Sequence, residues 1–276
     1  MHGIGSAYAR AQTGAMQRAG TKVVAGVSVG FAGQDVLGVP VFDCVAEAVQ
    51  ATGANTSAIY IPAAGARDAL IENADAGVQS AFLTAEFVPV HDVLFALNYA
   101  RSKGMWVIGP NSLGVCAPGI GMLGSIAPDF CSPGSVGLMS RSGTLTLATS
   151  RILSAAGIGQ SVCVHIGGDV LAGRNPSEYL DAFANDAATR AIAYCGEVGG
   201  SKEYAMVEQL PRIKKPLVAL IVGRSAPPGK RMGHAGALAG AARETAMAKR
   251  DALRQAGAHI ADSPMHMAQI IKKLLS

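Results

Sequence analysis

Short aliphatic segments recur along the chain, and a stretch of helical character follows most of them. The clearest segments are residues 57–62, 81–86, 105–111, 135–140, 161–166, 191–195 and 216–222. Strands of parallel sheets are buried on both faces, so they appear in a sequence as continuous aliphatic runs. Alternation of such strands with helices predicts an α/β fold built on parallel, doubly wound sheets.

The composition agrees with a folded α/β protein. Half of the 276 residues are hydrophobic and 15% are charged, which excludes a disordered chain. Aromatic residues make up 5%, so the cores are expected to be mainly aliphatic. The net charge is +4 without a dense run of lysine and arginine, and the sequence therefore predicts no nucleic-acid partner.

The five cysteines are isolated, odd in number and without CxxC or CxxH spacing. This pattern indicates a reducing, cytoplasmic location and gives no sign of a metal site. The chain shows no signal-peptide pattern and no apolar run long enough to span a bilayer, so no association with a membrane is expected.

The alternation is lost between residues 116 and 133, which are rich in glycine and proline and are predicted to form a linker. We therefore expect two domains. Residues 1–111 are predicted to form a Rossmann-like, cofactor-binding domain. Residues 112–276 are predicted to form a second, flavodoxin-like doubly wound domain.

A short glycine-containing turn opens the chain at Gly3, Gly5 and Ser6, and a helical segment follows it. Glycines at such a position let backbone N–H groups approach a phosphate at a helix N-terminus. The pattern lacks its third glycine and the strand that should precede it. The first strand of this Rossmann-like domain is therefore expected to be missing.

Two further segments suggest phosphate chemistry without establishing it. The aliphatic run 216–222 leads into the glycine-rich loop 223–240, which contains His234. A neutral imidazole is a good phosphoryl acceptor, but glycine-rich loops are commonly silent. Ser142, Gly143 and Thr144 open a helix, where such residues cap the N-terminus and where the same N–H groups can bind phosphate; taken alone, the pattern favours capping.

Six segments, in this order, resemble the α subunit of succinyl-CoA synthetase. That protein belongs to the nucleoside-diphosphate-forming acyl-CoA synthetases, which include malate-CoA ligase and the citryl-CoA enzymes. The segments are residues 38–42, 108–111, 140–146, 167–169, 196–200 and 229–237. The resemblance covers nearly the whole chain and changes the interpretation of the His234 loop.

The resemblance implies that His234 is transiently phosphorylated and that Glu197 hydrogen-bonds its imidazole. It also implies that Ser142, Gly143 and Thr144 hold the phosphate. CoA would bind to the first domain. The residues assigned to CoA in this way are Gly3, Gly5, Ser6, Tyr60, Pro62, Glu86 and Asn111.

The resemblance further implies a partner β subunit of the ATP-grasp type, which would carry most of the ATP or GTP site and the Mg²⁺. The substrate would be a small carboxylic acid such as succinate or malate. Two alternatives stay open: a related enzyme that uses His234 but transfers the acyl group to something other than CoA, and a non-catalytic α-like chain that binds acyl-CoA or a partner.

Three departures from the family pattern limit what the resemblance implies, and the first of them, with the missing first strand, motivates the alternative that does not use CoA. Phe31 stands where the family has a lysine expected near CoA phosphate, and Phe87 follows Glu86 where the family has glycine. Leu147 replaces the tyrosine that succinyl-CoA synthetases place near the substrate. Loss of that hydroxyl predicts a different or less polar acid.

Overall fold

A computed structural model describes residues 1–227, 237–238 and 241–276, and the chain divides into two compact units. Unit 1 comprises Met1–Val115, Gly119–Ala127 and Leu171–Gly173. Unit 2 comprises Cys116–Pro118, Pro128–Val170 and Arg174–Ser276. Among the described residues, no helix combines the length and the apolar composition needed to cross a membrane.

Unit 1 alternates strands and helices. Its helices are α1 (Ala7–Arg18), α2 (Val45–Thr52), α3 (Ala66–Asp75) and α4 (Val90–Ser102). Its first six strands are β1 (Gly26–Val27), β2 (Asp35–Val36), β3 (Val39–Phe42), β4 (Thr56–Ile59), β5 (Ser80–Leu83) and β6 (Trp106–Ile108). β4, β5 and β6 pair in parallel, as do β1 and β3, whereas β2 is antiparallel to β3.

The two halves of this parallel arrangement are joined by His2, which forms parallel bridges to both Val27 and Ile59. The His2 N–H donates to the Ala58 carbonyl at 2.8 Å, and the Gly3 N–H donates to the Val27 carbonyl at 2.8 Å. We expected the first strand to be missing. In the structure His2 occupies the place of that strand, since it forms a β-bridge to a strand on each side. The opening turn follows His2 directly.

Unit 2 is built on five parallel strands in the order β13-β12-β11-β9-β10. They are β9 (Pro133–Ser140), β10 (Gln160–His165), β11 (Ala191–Glu197), β12 (Leu217–Val222) and β13 (His259–Ala261). The helices are α5 (Gly143–Ala155), α6 (Pro176–Asn185), α7 (Glu203–Gln209), α8 (Ala246–Gln255) and α9 (Pro264–Leu275). Every residue of β11 is buried, and its sequence accordingly has no charged residue before Glu197, at its end.

The segment predicted as a linker is more ordered than its composition indicated. It contains β8 (Gly121–Gly124), a 3₁₀ turn at Pro128–Phe130 and the end of β7 (Gly114–Ala117). A Cβ atom on Gly114 would collide with the Leu123 carbonyl oxygen, and one on Gly124 with the Leu113 carbonyl oxygen. These glycines are thus present because two strands approach closely, and residues 116–133 contain strand structure that was not predicted for them.

A close contact at the centre of the unit 2 sheet also requires glycine. Phe183 of α6 packs on β9 at Gly137, where a Cβ atom would lie 2.6 Å from the Phe183 ring. Both β9 and Phe183 are buried at this point, so neither can move away into solvent.

Gly137→Ala should therefore lower the free energy of unfolding by about 1–3 kcal/mol through overpacking. Phe183→Leu is the matched control. The double variant should lose less stability than the sum of the two single variants, since the smaller side chain relieves the clash. Urea denaturation measures all three, and additive losses would contradict the contact.

Candidate active site

The parallel strands of unit 2 end at one edge of the sheet, and polar side chains follow several of them. Arg141 and Ser142 follow β9, His165 ends β10 and Glu197 ends β11. β12 ends at Val222 and leads into the loop that carries His234, which lies outside the described residues. Open α/β sheets bind their ligands at this edge.

Ser142 is the N-cap of α5, and hydrogen bonds fix the turn that contains it. Its Oγ accepts from the Leu145 N–H at 3.4 Å, and its own N–H donates to Ser140 Oγ at 3.1 Å. The Thr146 hydroxyl donates to the Ser142 carbonyl at 2.8 Å. The N–H groups of Gly143 and Thr144 are in the first turn, where a helix provides no carbonyl partners. Such a helix start can bind an anion as well as be capped.

Glu197 is a buried carboxylate, with 4% of its surface exposed. Arg141 Nη2 lies 3.3 Å from Glu197 Oε1, and Arg141 Nη1 lies 3.8 Å from Glu203 Oε1. The His165 ring nitrogen Nε2 lies 3.2 Å from the Arg141 carbonyl oxygen, within hydrogen-bond distance. The arginine therefore joins β9 to the end of β11 and compensates the buried charge of Glu197.

The charge network continues beneath the loop that follows β11. Lys249 of α8 is fully buried, and its Nζ lies 2.7 Å from Glu203 Oε2. It also donates to the carbonyl oxygens of Glu197, at 2.9 Å, and of Gly199. The Tyr194 hydroxyl donates to Glu203 Oε1 at 2.8 Å. Burial lowers the pKa of Lys249, and the carboxylate of Glu203 opposes that shift.

Lys202 adds a titratable cation at the same edge, as the N-cap residue of α7. Burial lowers its pKa to about 8, and the charge of Arg141 acts in the same direction. The carboxylates of Glu203, Glu197 and Asp169 oppose the shift. The ammonium of Lys202 therefore still predominates at pH 7, and it loses its proton at a lower pH than an ordinary lysine does.

Three members of this network were not predicted from the sequence. Lys249 and Glu203 are charged residues in helices, where such residues are usually exposed to solvent. The sequence around them gives no indication that they are buried. Arg141 stands within the Ser-Arg-Ser-Gly-Thr segment. That segment drew attention to Ser142, whereas the arginine is the residue that contacts Glu197.

In unit 1, the residues assigned to CoA follow the carboxyl ends of the parallel strands. They are Gly3, Gly5 and Ser6 after the His2 bridge, Tyr60 and Pro62 after β4, Glu86 after β5 and Asn111 after β6. The structure thus brings all of them to one edge of the sheet of unit 1.

The individual roles of these residues differ. Ser6 caps α1, its Oγ accepting from the Ala9 N–H at 3.2 Å, and Gly3 has a φ of +89° that favours glycine. Tyr60 is buried, and its hydroxyl lies 3.4 Å from Ser125 Oγ. Burial raises the pKa of Tyr60, so this side chain stays a neutral phenol. Glu86 is exposed.

Phe31 stands where the family resemblance implies a lysine, and an arginine lies over its ring. The guanidinium carbon of Arg10 is 5.6 Å from the Phe31 ring centroid, and Arg10 Nε donates to the Ile4 carbonyl at 3.3 Å. A Cβ atom on Gly5 would contact the same ring at 2.9 Å. The opening turn therefore has a cation beside it, although the lysine is absent.

Within the described part of the chain, no group of three or more histidine, cysteine, aspartate or glutamate side chains is placed to hold a metal ion.

Because of the buried network, substitutions of Lys249 and Arg254 in α8 are expected to differ greatly in their effect on the free energy of unfolding. Lys249→Met should destabilise the fold by about 3–5 kcal/mol, because the buried Glu203 would lose the nearer of its two cations and keep only Arg141. Arg254→Met removes a cation whose partner, Asp251, is 51% exposed, and should cost at most about 1 kcal/mol.

Adding Glu203→Gln to Lys249→Met should restore part of the lost stability, since the side chain that lost its ammonium partner is then neutral. Chemical denaturation monitored by circular dichroism provides the values. Equal losses for Lys249→Met and Arg254→Met would show that the buried pair does not stabilise the fold.

Comparison with known proteins adds independent findings. Residues 1–87 match the family model of a CoA binding domain, and residues 139–259 match that of a CoA-ligase. The chain is 42% identical over 275 residues to succinate–CoA ligase [ADP-forming] subunit alpha 2 of Archaeoglobus fulgidus, covering 100% of this chain and 96% of that protein. It is 40% identical to the alpha subunit from Methanothermobacter thermautotrophicus, covering 100% and 94%.

Two solved structures are similar to this chain over nearly its whole length. ATP citrate lyase from Methanothrix soehngenii, in complex with citrate and coenzyme A, superposes with a TM-score of 0.86 at 28% identity, over 95% of this chain and 47% of that chain. An acetyl-coenzyme A synthetase from Ca. Korarchaeum cryptofilum, in complex with phosphate and ADP, has a TM-score of 0.80 at 20% identity, over 99% and 58%, and shows the fold alone. This chain thus spans about half of each of these longer chains.

Proposed function

The chain belongs to the family of succinate–CoA ligase α subunits, and from that premise we propose that it is the α subunit of an ADP-forming ligase that joins a small carboxylic acid to coenzyme A. The observation that carries the proposal is the arrangement at one sheet edge of unit 2. The start of α5 and the buried Glu197 lie at the edge from which the His234 loop departs.

The chemistry requires a phosphorylated intermediate because a carboxylate is a poor acyl donor. In the proposed cycle, a neutral nitrogen of His234 attacks the terminal phosphorus of ATP, and ADP leaves. The substrate carboxylate then attacks that phosphorus, which frees the histidine and forms an acyl phosphate. The CoA thiolate finally attacks the acyl carbon, so that inorganic phosphate leaves and a thioester remains.

Glu197 is proposed to orient the imidazole of His234. A carboxylate that accepts a hydrogen bond from one ring nitrogen fixes the tautomer in which the other nitrogen is nucleophilic. It also stabilises the positive charge that the ring gains with the phosphoryl group. Arg141 and Lys249 support this role because they hold Glu197 and the loop after it at fixed positions.

The start of α5 is proposed to bind the phosphoryl group while it is transferred. The N–H groups of Gly143 and Thr144 and the hydroxyl of Ser142 offer donors at the positive end of a 13-residue helix. Lys202 would stay protonated beside a bound dianion, since an adjacent negative charge raises the pKa of an ammonium group.

CoA is proposed to bind at the sheet edge of residues 1–111, and residues 112–276 are proposed to form the ligase domain. The opening turn and the start of α1 would face CoA phosphate, with Arg10 in place of the absent lysine. Leu147 in α5 favours an acid that offers no polar group at that position.

A partner β subunit is proposed to complete the enzyme, since the relatives are named alpha subunits. We propose that this partner is of the ATP-grasp type and carries the nucleotide with its Mg²⁺. The five cysteines of the chain are free thiols, which supports a reducing compartment such as the cytoplasm.

Glu197→Gln should slow phosphorylation of His234 by about 10²-fold or more, because the neutral amide stabilises neither the tautomer nor the developing cation. The dissociation constant of CoA should stay unchanged. Glu208→Gln, an exposed position on α7, is the matched control. Rapid-quench measurements with labelled ATP report the rate, and a loss confined to CoA binding would contradict the assigned role.

Arg10→Ala should raise the KM for CoA by about tenfold, the loss expected for one charge-assisted contact to phosphate, and leave kcat nearly unchanged. Arg18→Ala, near the other end of α1, should change neither parameter. Steady-state kinetics with varied CoA test both variants. An unaltered KM in Arg10→Ala would show that this arginine does not bind CoA.

The function itself is tested by thioester formation. The chain and its partner subunit are incubated with ATP, Mg²⁺, CoA and one acid at a time from a panel that includes succinate, malate and citrate. We expect a thioester that requires ATP and CoA with at least one acid. Tight binding of acyl-CoA without turnover on any acid would favour a non-catalytic role.

A further inference from the structure

The loop that contains His234 is attached near both of its ends to the segment that follows β11. At its start, the Val198 N–H donates to the carbonyl of Val222, the last residue of β12, at 3.0 Å. A few residues beyond its end, the Gly199 N–H donates to the Glu244 carbonyl at 2.9 Å. The loop therefore leaves and returns beside the end of β11.

The return of the loop is held by further contacts. Arg243 lies over Tyr204 of α7, with its guanidinium carbon 4.5 Å from the ring centroid, and the Tyr204 hydroxyl donates to the Arg243 carbonyl at 2.7 Å. The Ala241 N–H donates to Glu244 Oε2 at 3.0 Å. Hydrogen bonds and one cation–π contact thus fix this end of the loop.

An ion pair holds the start of the loop to the neighbouring strand. The Ala226 N–H donates to the Gly223 carbonyl at 3.1 Å, and Arg224 lies within the turn that this bond closes. Arg224 Nη1 is 3.0 Å from Oδ1 of Asp262, the residue that follows β13. Since β12 and β13 are parallel neighbours, the pair joins the first residues of the loop to the next strand end.

Asp262 is itself held from the side of α8. Arg250 is buried, its Nη2 lies 2.6 Å from Asp262 Oδ1, and its Nη1 donates to the Ala261 carbonyl at 3.0 Å. The Asp262 N–H donates to His266 Nδ1 at 3.3 Å. The carboxylate of Asp262 is therefore a fixed acceptor for the guanidinium of Arg224.

We propose that Arg224 is a positioning residue for His234 and that it acts through Asp262. The inference rests on the proposed function, in which the imidazole must meet Glu197 at the end of β11. Because the return of the loop is fixed, the direction in which the loop leaves β12 limits the positions that His234 can reach. Arg224 sets that direction, since it ties the second residue after β12 to the end of β13.

A second ion pair of the same kind provides a matched control. The side chains of Arg224 and Asp262 are 50% and 51% exposed, and an exposed ion pair contributes little to the stability of a fold. Arg254 and Asp251 form a pair within α8 that is exposed to nearly the same extent, 55% and 51%, with a nitrogen–oxygen distance of 2.7 Å. The two arginines thus differ in whether they hold the His234 loop.

The test measures the rate of His234 phosphorylation in the complex of the full-length chain with its partner subunit, using ATP labelled at the terminal phosphate. Arg224→Gln should lower this rate about fivefold, which corresponds to about 1 kcal/mol, the upper end for an exposed ion pair. Arg224→Lys keeps the charge and should restore most of the rate. Arg254→Gln should be phosphorylated at the parental rate, whereas urea denaturation should show the same small loss of stability in Arg224→Gln and Arg254→Gln.

Asp262→Asn completes a double-mutant cycle. If Arg224 acts through Asp262, adding Arg224→Gln to Asp262→Asn should not slow phosphorylation further. Three results would overturn the inference alone: equal rates in Arg224→Gln and Arg254→Gln, losses that multiply in the double variant, or a slow rate caused by weaker association with the partner subunit. A parent chain without label on His234 would contradict the proposed function, and this inference with it.

Discussion

The buried ion pairs of Arg141, Glu197, Glu203 and Lys249 are the interaction on which the candidate active site depends. Charges removed from water are tolerated only when they are paired and hydrogen-bonded, so each member requires the others. The network ties the ends of β9 and β11 to α7 and α8. Arg141 thereby contacts the Glu197 carboxylate at the sheet edge, which agrees with the proposed role of Glu197 beside His234.

The candidate sites of both units follow the same topological rule. The loops that follow parallel strands lie at one edge of the sheet, where helix N-termini add positive potential. In unit 1 this edge carries the opening turn with Arg10 over Phe31, and in unit 2 it carries Ser142 at the start of α5. Phosphate groups are the ligands proposed for both edges, which agrees with an enzyme that acts on CoA and transfers a phosphoryl group.

Much of the fold could be predicted from the sequence because buried parallel strands are aliphatic throughout. The α/β class and the family are confirmed, and the domain boundaries stay predictions. The strands at Gly114 and Gly124 could not be predicted from the sequence. These glycines are required by a close backbone contact, but in a sequence they look the same as the glycines of a loop. The buried state of Lys249 was also hidden, because its partners come from distant parts of the chain. His234 and Glu197 were found through the family resemblance, and their roles stay proposals.

In the proposed mechanism, His234 carries the phosphoryl group between nucleotide and acid. The most direct measurement is to incubate the chain and its partner subunit with Mg²⁺ and ATP labelled at the terminal phosphate, and to map the labelled peptide. We expect an acid-labile, base-stable phosphate on His234 that is discharged by the acid substrate together with CoA. Two results would contradict this mechanism. One is thioester formation by the parent chain without label on His234, and the other is thioester formation by the variant His234→Ala.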